Sequence, residues 1–377
     1  MRRKSSRLAS ISMALIAVIA GAASCWEREP LPLYPQLGPS GGYAPDDFDF
    51  EAACSGGWEY GTNDADARKH TSFPERVPEG CYTQVHYDPV SKKITSVSAP
   101  SEGCGFPHAG AKERLLARAA VYEAVARAPS LRRGDRVPME LACELPADVR
   151  RAAAQANALT LRSYAESIHE GGDIYPYAVA GTFGFGEPAH NGSELRAWRP
   201  GAPCVGLSAE QREILNINLI RAGRIADAYA SHVAPLVSVS GGAVHADLVE
   251  AFMLGHLAHC EGKVPQDRIL YDPCADHTHT NFRNTGAILK EMDARFAYLV
   301  TDDFLQSKYM QEWTTFDAIG GSIDQRALRD WGYLLGAWRQ ASSGIDAGFW
   351  FTPYRFWAEP REGRGSFACV GDVPYDP

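Results

Sequence analysis

From Asp173 onward the chain changes texture in a way that leaves few folds open to it. Short apolar runs at residues 178–180, 236–239, 268–271 and 296–301 alternate with longer amphipathic stretches. Each run is too short for a helix, and most end in small or polar residues. Strands that alternate with helical patterns make βαβ units and a parallel sheet. Right-handed crossovers then place helices on both faces. The expected fold is α/β, a Rossmann-like parallel sheet, preceded by a smaller Cys-containing, partly helical region. Ser208 and Gln211 form a capping box, so a helix is expected from there to about His232. Further helices are expected over residues 246–260, 280–292, 303–313 and 323–341. Residues 316–319 read as an added strand and 348–357 as a last edge strand.

The N-terminus bears on compartment. Arg2, Arg3, Lys4 and Arg7 precede an uncharged, mostly apolar run over residues 8–23, the pattern of an export signal. The run ends Ala22-Ala23-Ser24-Cys25, which is similar to a bacterial lipobox with Ala in place of the usual Leu. That ending favours lipidation at Cys25 over plain cleavage or an uncleaved anchor, and Trp26 rather than Asp favours the outer membrane. The expected organisation is a signal at 1–25, a Pro/Gly-rich tether at 26–49, a Cys-containing region at 50–172 and the α/β domain at 173–377. Within the second region a strand pair is expected at 81–87 and 93–98, and helices at 111–128 and 147–170. Gly171-Gly172 closes the latter.

Removing residues 1–25, which hold four basic residues and no acidic one, takes the formal net charge from −9 to −13. Such a surface cannot displace counterions from a phosphate backbone, so nucleic acid is excluded as a general partner. Nine cysteines become eight, an even number in an oxidising compartment, and disulfides are expected. Proximity in sequence picks Cys260 with Cys274, and other pairs within the first half.

Ligands of open parallel sheets bind at the carboxyl ends of the strands. The loops there are 181–186, 240–245, 273–281 and 301–303, with helix N-termini suited to an anion. Glu250 is expected one turn into the helix after Ser240-Gly241-Gly242, facing the same cleft.

Arg224, Ser240-Gly241-Gly242, Glu250-Ala251, Thr278-His279-Thr280-Asn281 and Val300-Thr301 follow one another at defined spacing. Their order and spacing resemble the YdcF/SanA/ElyC-like family of bacterial envelope proteins over residues 173–313. Gly181 stands at the family's first strand. The resemblance implies a Rossmann-like domain whose polar cleft binds a small anionic or nucleotide-like ligand through Gly181, Arg224, Ser240, Gly241, Gly242, Thr278, Asn281, Thr301 and Asp302. It also implies a role in envelope biogenesis or barrier maintenance. Glu250 is the candidate catalytic group. Leu305 and Lys308 stand where the family carries His and Arg, which removes a general acid or base and a phosphate fork.

Two rival readings remain. A non-catalytic scaffold lipoprotein fits the Leu305 and Lys308 departures. A metal-dependent hydrolase would use His245, His256, His259, His277 and His279 with Cys260, although their spacing matches no zinc motif. The Gly184–Ala189 stretch fits G-x-G-x-x-A, but Pro188 does not open a helix at once, so a dinucleotide is not favoured. No G-x-S-x-G elbow is present in strand–turn–helix context. No cofactor and no resident metal are assigned.

Overall fold

The computed structural model describes residues 85–101, 104–186, 193–244, 247–292, 294, 296–302, 336–340, 346–351 and 372–375. The signal, Cys25, the tether, His245, Pro188, Leu305, Lys308 and the elements expected over 303–335 lie outside these residues.

Four strands form the parallel centre: β4 (Val179–Phe183), β5 (Leu236–Ser240), β6 (Ile269–Asp272) and β7 (Phe296–Val300). Every residue of these strands is buried, which explains why their sequences are near-continuous apolar runs rather than alternating ones. The chain then adds β8 (Gly336–Gln340) and β9 (Asp346–Phe351), and the sheet order is β6-β5-β4-β7-β9-β8. β9 is antiparallel to both β7 and β8. Helices cover both faces. β5 and β6 lie to one side of β4 and β7 to the other, so the topological switch point falls between β4 and β7.

Two expectations are corrected at this end of the sheet. Residues 336–340, expected in a helix, form a strand. The aromatic tail supplies an inner strand, β9, and β8 takes the edge. The backbone groups along the outer side of β7 require a partner, and β9, aromatic at Phe349, Trp350 and Phe351, has the composition of a strand that provides one.

Helices α1 (Ala111–Arg127) and α2 (Ala147–Ser167) form where the sequence places them. They share one continuous apolar core with the sheet: Leu115, Tyr122 and Leu161 belong to the same buried cluster as Val179, Val237 and Leu270. Helix α2 also covers the exposed edge of β6. Asn157 Nδ2 donates to Tyr271 O at 2.9 Å, and Tyr271 N donates to Asn157 Oδ1 at 2.7 Å. Thr160 Oγ1 donates to Ile269 O at 2.8 Å. A side-chain amide carries the donor and acceptor of a peptide group, so Asn157 acts as one residue of a missing neighbour strand. The antiparallel hairpin β1 (Val85–Tyr87) and β2 (Ile94–Val97) docks through Ile94 N on Asp227 Oδ2 at 2.8 Å. A short strand pair, β3 (Arg136–Pro138) with β10 (Asp372–Pro374), brings Tyr375 onto Arg150.

The segment between β4 and β5 holds α3 (Ser193–Ala197), α4 (Ala209–Ile214) and α5 (Asn216–Ala230). The expected capping box is present at Ser208 and Gln211, but the helix behind it is broken at Leu215 into α4 and α5. Helix α6 spans Glu250–His256 and widens into a π-helical turn at Leu257–Glu261. Helix α7 is Thr278–Glu291.

The expected Cys260–Cys274 pairing is corrected. Cys274 bonds Cys143, and Cys260 bonds Cys204. Cys260 lies ahead of the amino end of β6 and Cys274 just past its carboxyl end. A strand of this length separates its ends by roughly 10 Å or more, beyond the reach of a disulfide. Each cysteine instead ties a flanking segment to the sheet domain: the insertion to the end of α6, and the segment before α2 to the loop after β6. Cys104 is also disulfide-bonded.

Replacing Asn157 by Leu strands the Tyr271 N–H and C=O at a buried edge, at about 1–3 kcal/mol for each group. Urea unfolding of Asn157→Leu is therefore expected to lose at least ~2 kcal/mol. A loss within ~0.5 kcal/mol, the range of an ordinary surface change, would show that the edge pairing contributes nothing.

Candidate functional site

Helix α5 turns Asn218, Arg221 and Arg224 inward together with Ala222, Ile225 and Ala228. All are buried, and the two guanidinium groups turn toward the switch point. Arg221 Nε donates to Asp302 Oδ2 at 2.9 Å, its Nη2 forms a second bond to the same oxygen, and its Nη1 donates to Phe183 O at 2.6 Å. Arg224 Nη1 donates to Thr301 O. Thr182 Oγ1 donates to Val300 O at 2.9 Å. The ends of β4 and β7 are thus held by side chains at the place where their ladder diverges. Burial pulls the Arg221 guanidinium below its ordinary range, and the Asp302 and Glu250 carboxylates oppose that.

Glu250 is the first residue of α6, not one turn into it. Its side chain lies directly against Gly184 and Gly241. A Cβ on Gly241 would fall 2.6 Å from Glu250 Oε2, and one on Gly184 would overlap the carboxylate. Gly241 also has φ +144°, which disfavours any other residue there. The glycines after β4 and β5 are therefore the seat of an internal carboxylate.

The Ser-Gly-Gly turn is not an open nest of amides. Gly184 N donates to Ser240 O at 2.8 Å, Gly241 N to Asp272 O at 2.9 Å and Gly242 N to Ala275 O at 2.7 Å. A Cβ on Gly242 would press on the carbonyls of Pro273 and Ala275. These residues line up the loops after β4, β5 and β6 with each other, and their N–H groups are engaged in doing so.

Gly181 is placed inside β4, two residues before its end, and not in a loop. A Cβ there would approach Leu299 Cδ2 to 2.9 Å, so packing against β7 accounts for this glycine.

Beneath the turn lies a buried polar network. Ser240 Oγ is 2.5 Å from Asp272 Oδ2 and 2.6 Å from Asn281 Oδ1. Asn281 Nδ2 donates to His277 O at 3.0 Å, which orients its oxygen to Ser240. Asp272 Oδ1 accepts from Asn284 Nδ2 at 3.0 Å and from Cys274 N at 3.1 Å. A hydroxyl has one proton to donate and here faces two oxygens. The set closes when Asp272 is protonated and donates to Ser240, which donates to Asn281. Burial pushes the Asp272 carboxyl up to about 7, against the opposing hydrogen bonds from Ser240 and Asn284. Thr278 opens α7. Thr280 Oγ1 accepts from Asp276 N and His277 N and so anchors the start of that helix.

The histidines divide. His256 is fully buried, accepts from Val205 N at 2.9 Å through Nε2, and packs edge-on to Trp198. Burial lowers its basicity. His259 Nδ1 bonds Val264 O at 2.8 Å. Among the described residues, Cys204, His259 and Cys260 are the one group close enough to share a metal. Their two sulfurs are joined in a disulfide, which leaves no thiolate to coordinate.

Arg221, Thr182, Asp272 and Asn284 went unremarked in the sequence, and Gly184 was read only as part of a G-x-G-x-x-A stretch. A paired arginine, three residues apart on an apolar helix face, was the legible signal for Arg221, because buried Arg is rare without a partner. Comparisons with protein families, curated proteins and solved structures return no match to this chain.

Asp272 has a raised folded-state pKa, so the folded protein holds a proton that the unfolded chain releases. Its contribution is complete below the unfolded value of 3.8 and is lost as pH rises through about 7. Between these limits the wild type is expected to lose stability relative to Asp272→Asn, by up to about 1.4 kcal/mol per pH unit. Parallel pH–stability profiles for the two proteins would refute the neutral carboxyl.

Proposed function

We propose that this protein is an exported lipoprotein of the bacterial envelope whose α/β domain binds a small anionic or nucleotide-like ligand at the β4/β7 switch point. The observation that carries this reading is the convergence of Arg221 and Arg224 on the carboxyl ends of β4 and β7, in the crevice where open α/β sheets take their ligands. Arg221 is engaged by Asp302 and Phe183 O, and Arg224, 8% exposed, holds Thr301 O at the end of β7, so a ligand would meet Arg224 there. The amides of Gly241 and Gly242 are engaged, so recognition rests on side chains: Arg224, Thr301, Asn281 and Thr278, with Glu250 orienting the loops.

The resemblance to the YdcF/SanA/ElyC-like family supports the envelope role, as does the basic, apolar, Cys25-terminated N-terminus. The reading is of binding, with Glu250 as the group on which catalysis would draw. Burial of His256 against Val205 and Trp198 favours it over a metal-dependent hydrolase. The scaffold alternative predicts no ligand at all.

Isothermal titration of the mature chain with inorganic phosphate, AMP and UDP distinguishes these. Saturable binding of at least one is expected, weakened about tenfold or more in Arg224→Met, a loss of roughly 1.4 kcal/mol or greater. Absence of binding, or equal binding by a folded Arg224→Met, would leave the scaffold reading. In cells, Cys25→Ala is expected to abolish incorporation of labelled palmitate and release the protein from the membrane fraction. Unchanged labelling would overturn lipid attachment.

A further inference from the structure

At the amino ends of the parallel strands, remote from Arg221 and Asp302, the segments that precede β4, β5 and β6 enclose a cleft of about 1040 Å³. Its aromatic lining is Tyr164 and Tyr175, with Tyr229 and His232 from the end of α5. The rings are organised: Tyr175 and His232 stack at 5.9 Å with 17° between their planes, and Tyr164 stacks on Phe106 at 5.9 Å. Tyr175 is half-buried and His232 exposed, so this stacked pair forms a platform at the surface of the cleft.

Polar groups surround the rings. Asp173 offers acceptors and Arg268 donors, and the Arg268 guanidinium lies 6.0 Å from the centre of the Tyr164 ring. The Tyr164 side chain is 95% buried, yet its hydroxyl has no hydrogen-bond partner among the described residues. That oxygen is itself shielded from solvent, so Tyr164 meets the cleft through its ring. Burial holds the phenol protonated, well above its ordinary range, so this part of the wall is neutral.

The charges of the lining decide the class of ligand. Lys112 and Arg268 are matched by Glu170 and Asp173. A phosphate or nucleotide gains nothing from a balanced wall, in contrast to the arginine-lined crevice at the other end of the sheet. A wholly apolar ligand would strip water from Asp173 and Arg268 without replacing their hydrogen bonds. The remaining class has an apolar face to lie on a ring and hydroxyls at its rim that both donate and accept.

We propose that this cleft is a saccharide-binding site for an uncharged oligosaccharide, with the Tyr175–His232 pair as its stacking platform and Asp173 and Arg268 as its hydrogen-bonding groups. The volume is at the upper end of the range for small-ligand sites, roughly 300–1,000 Å³, and suits several sugar rings in preference to one. The site is separate from the proposed anion crevice, and neither depends on the other.

The test is titration calorimetry of the mature chain with chitotriose, maltotriose and cellotriose, three uncharged trisaccharides of different linkage. Saturable binding of at least one is expected with Kd of about 0.01–1 mM. Tyr175→Ala removes the platform and is expected to abolish it. Asp173 is exposed in the lining, so Asp173→Ala removes a hydrogen-bonding group without disturbing the core; it is expected to weaken binding about 2- to 10-fold with no loss of thermal stability. This second variant decides the matter if Tyr175→Ala fails to fold. Failure of all three sugars to bind would overturn the proposal, as would wild-type affinity in a folded Tyr175→Ala or, where that variant does not fold, in Asp173→Ala. Displacement of the sugar by adenosine at lower concentration would overturn it in favour of a nucleobase.

Discussion

The carboxyl end of the sheet depends on one buried ion pair, Arg221 with Asp302. Taking both charges out of water is expensive, and only close geometry with further hydrogen bonds offsets it. Both conditions are met, because the remaining guanidinium nitrogen donates to Phe183 O. Removing either partner would leave an uncompensated buried charge, an effect of about 3–5 kcal/mol. The pair therefore pins helix α5 across the point where β4 and β7 part. Every other feature of the crevice is set by that placement: Arg224 lands on Thr301 one turn further along the helix, and Glu250 is brought within electrostatic range of Arg221.

Around this pair the molecule reinforces its sheet with parts that lie outside the βαβ units. Asn157 of α2 stands in for a strand at the β6 edge. Cys143–Cys274 ties the segment ahead of α2 to the loop that follows Asp272, and Cys204–Cys260 ties the insertion to the end of α6. Arg196 on Asp247, His256 on Val205 and the second disulfide follow one another down the flank of α6. Helices α1 and α2, which the sequence assigns to a separate region, bury their apolar faces in the same core as the strands. A fold whose two ends are built so differently, with arginines at one and balanced charges among rings at the other, offers two chemically distinct surfaces.

The parallel strands were legible because a strand buried on both faces must be apolar throughout, and only four such runs separated by helical spacing occur between Asp173 and Thr301. The capping box was legible because it is local. The break at Leu215 was not, since the residues on both sides continue a helical pattern and only packing interrupts it. The glycines were seen but misread. Gly241 and Gly242 look like an anion nest, yet what they accommodate is Glu250 and the carbonyls of Pro273 and Ala275. Gly181 lies in a strand, where Leu299 leaves no room for a Cβ. Asp272 and Asn284 gave no signal at all, because nothing local distinguishes a carboxyl that ends up without water.

Sequence by itself determined the class of fold, the strands that make its centre and the helices that flank them. These follow from periodicity and capping, which act over a few residues. Tertiary structure alone decided which cysteines pair, which charges meet and which strand takes the edge. Those outcomes depend on distances between residues far apart in the chain: Cys143 with Cys274, Arg221 with Asp302, Asn157 with Tyr271. No local pattern encodes them, because each exists only once the sheet has brought its partners within bonding reach.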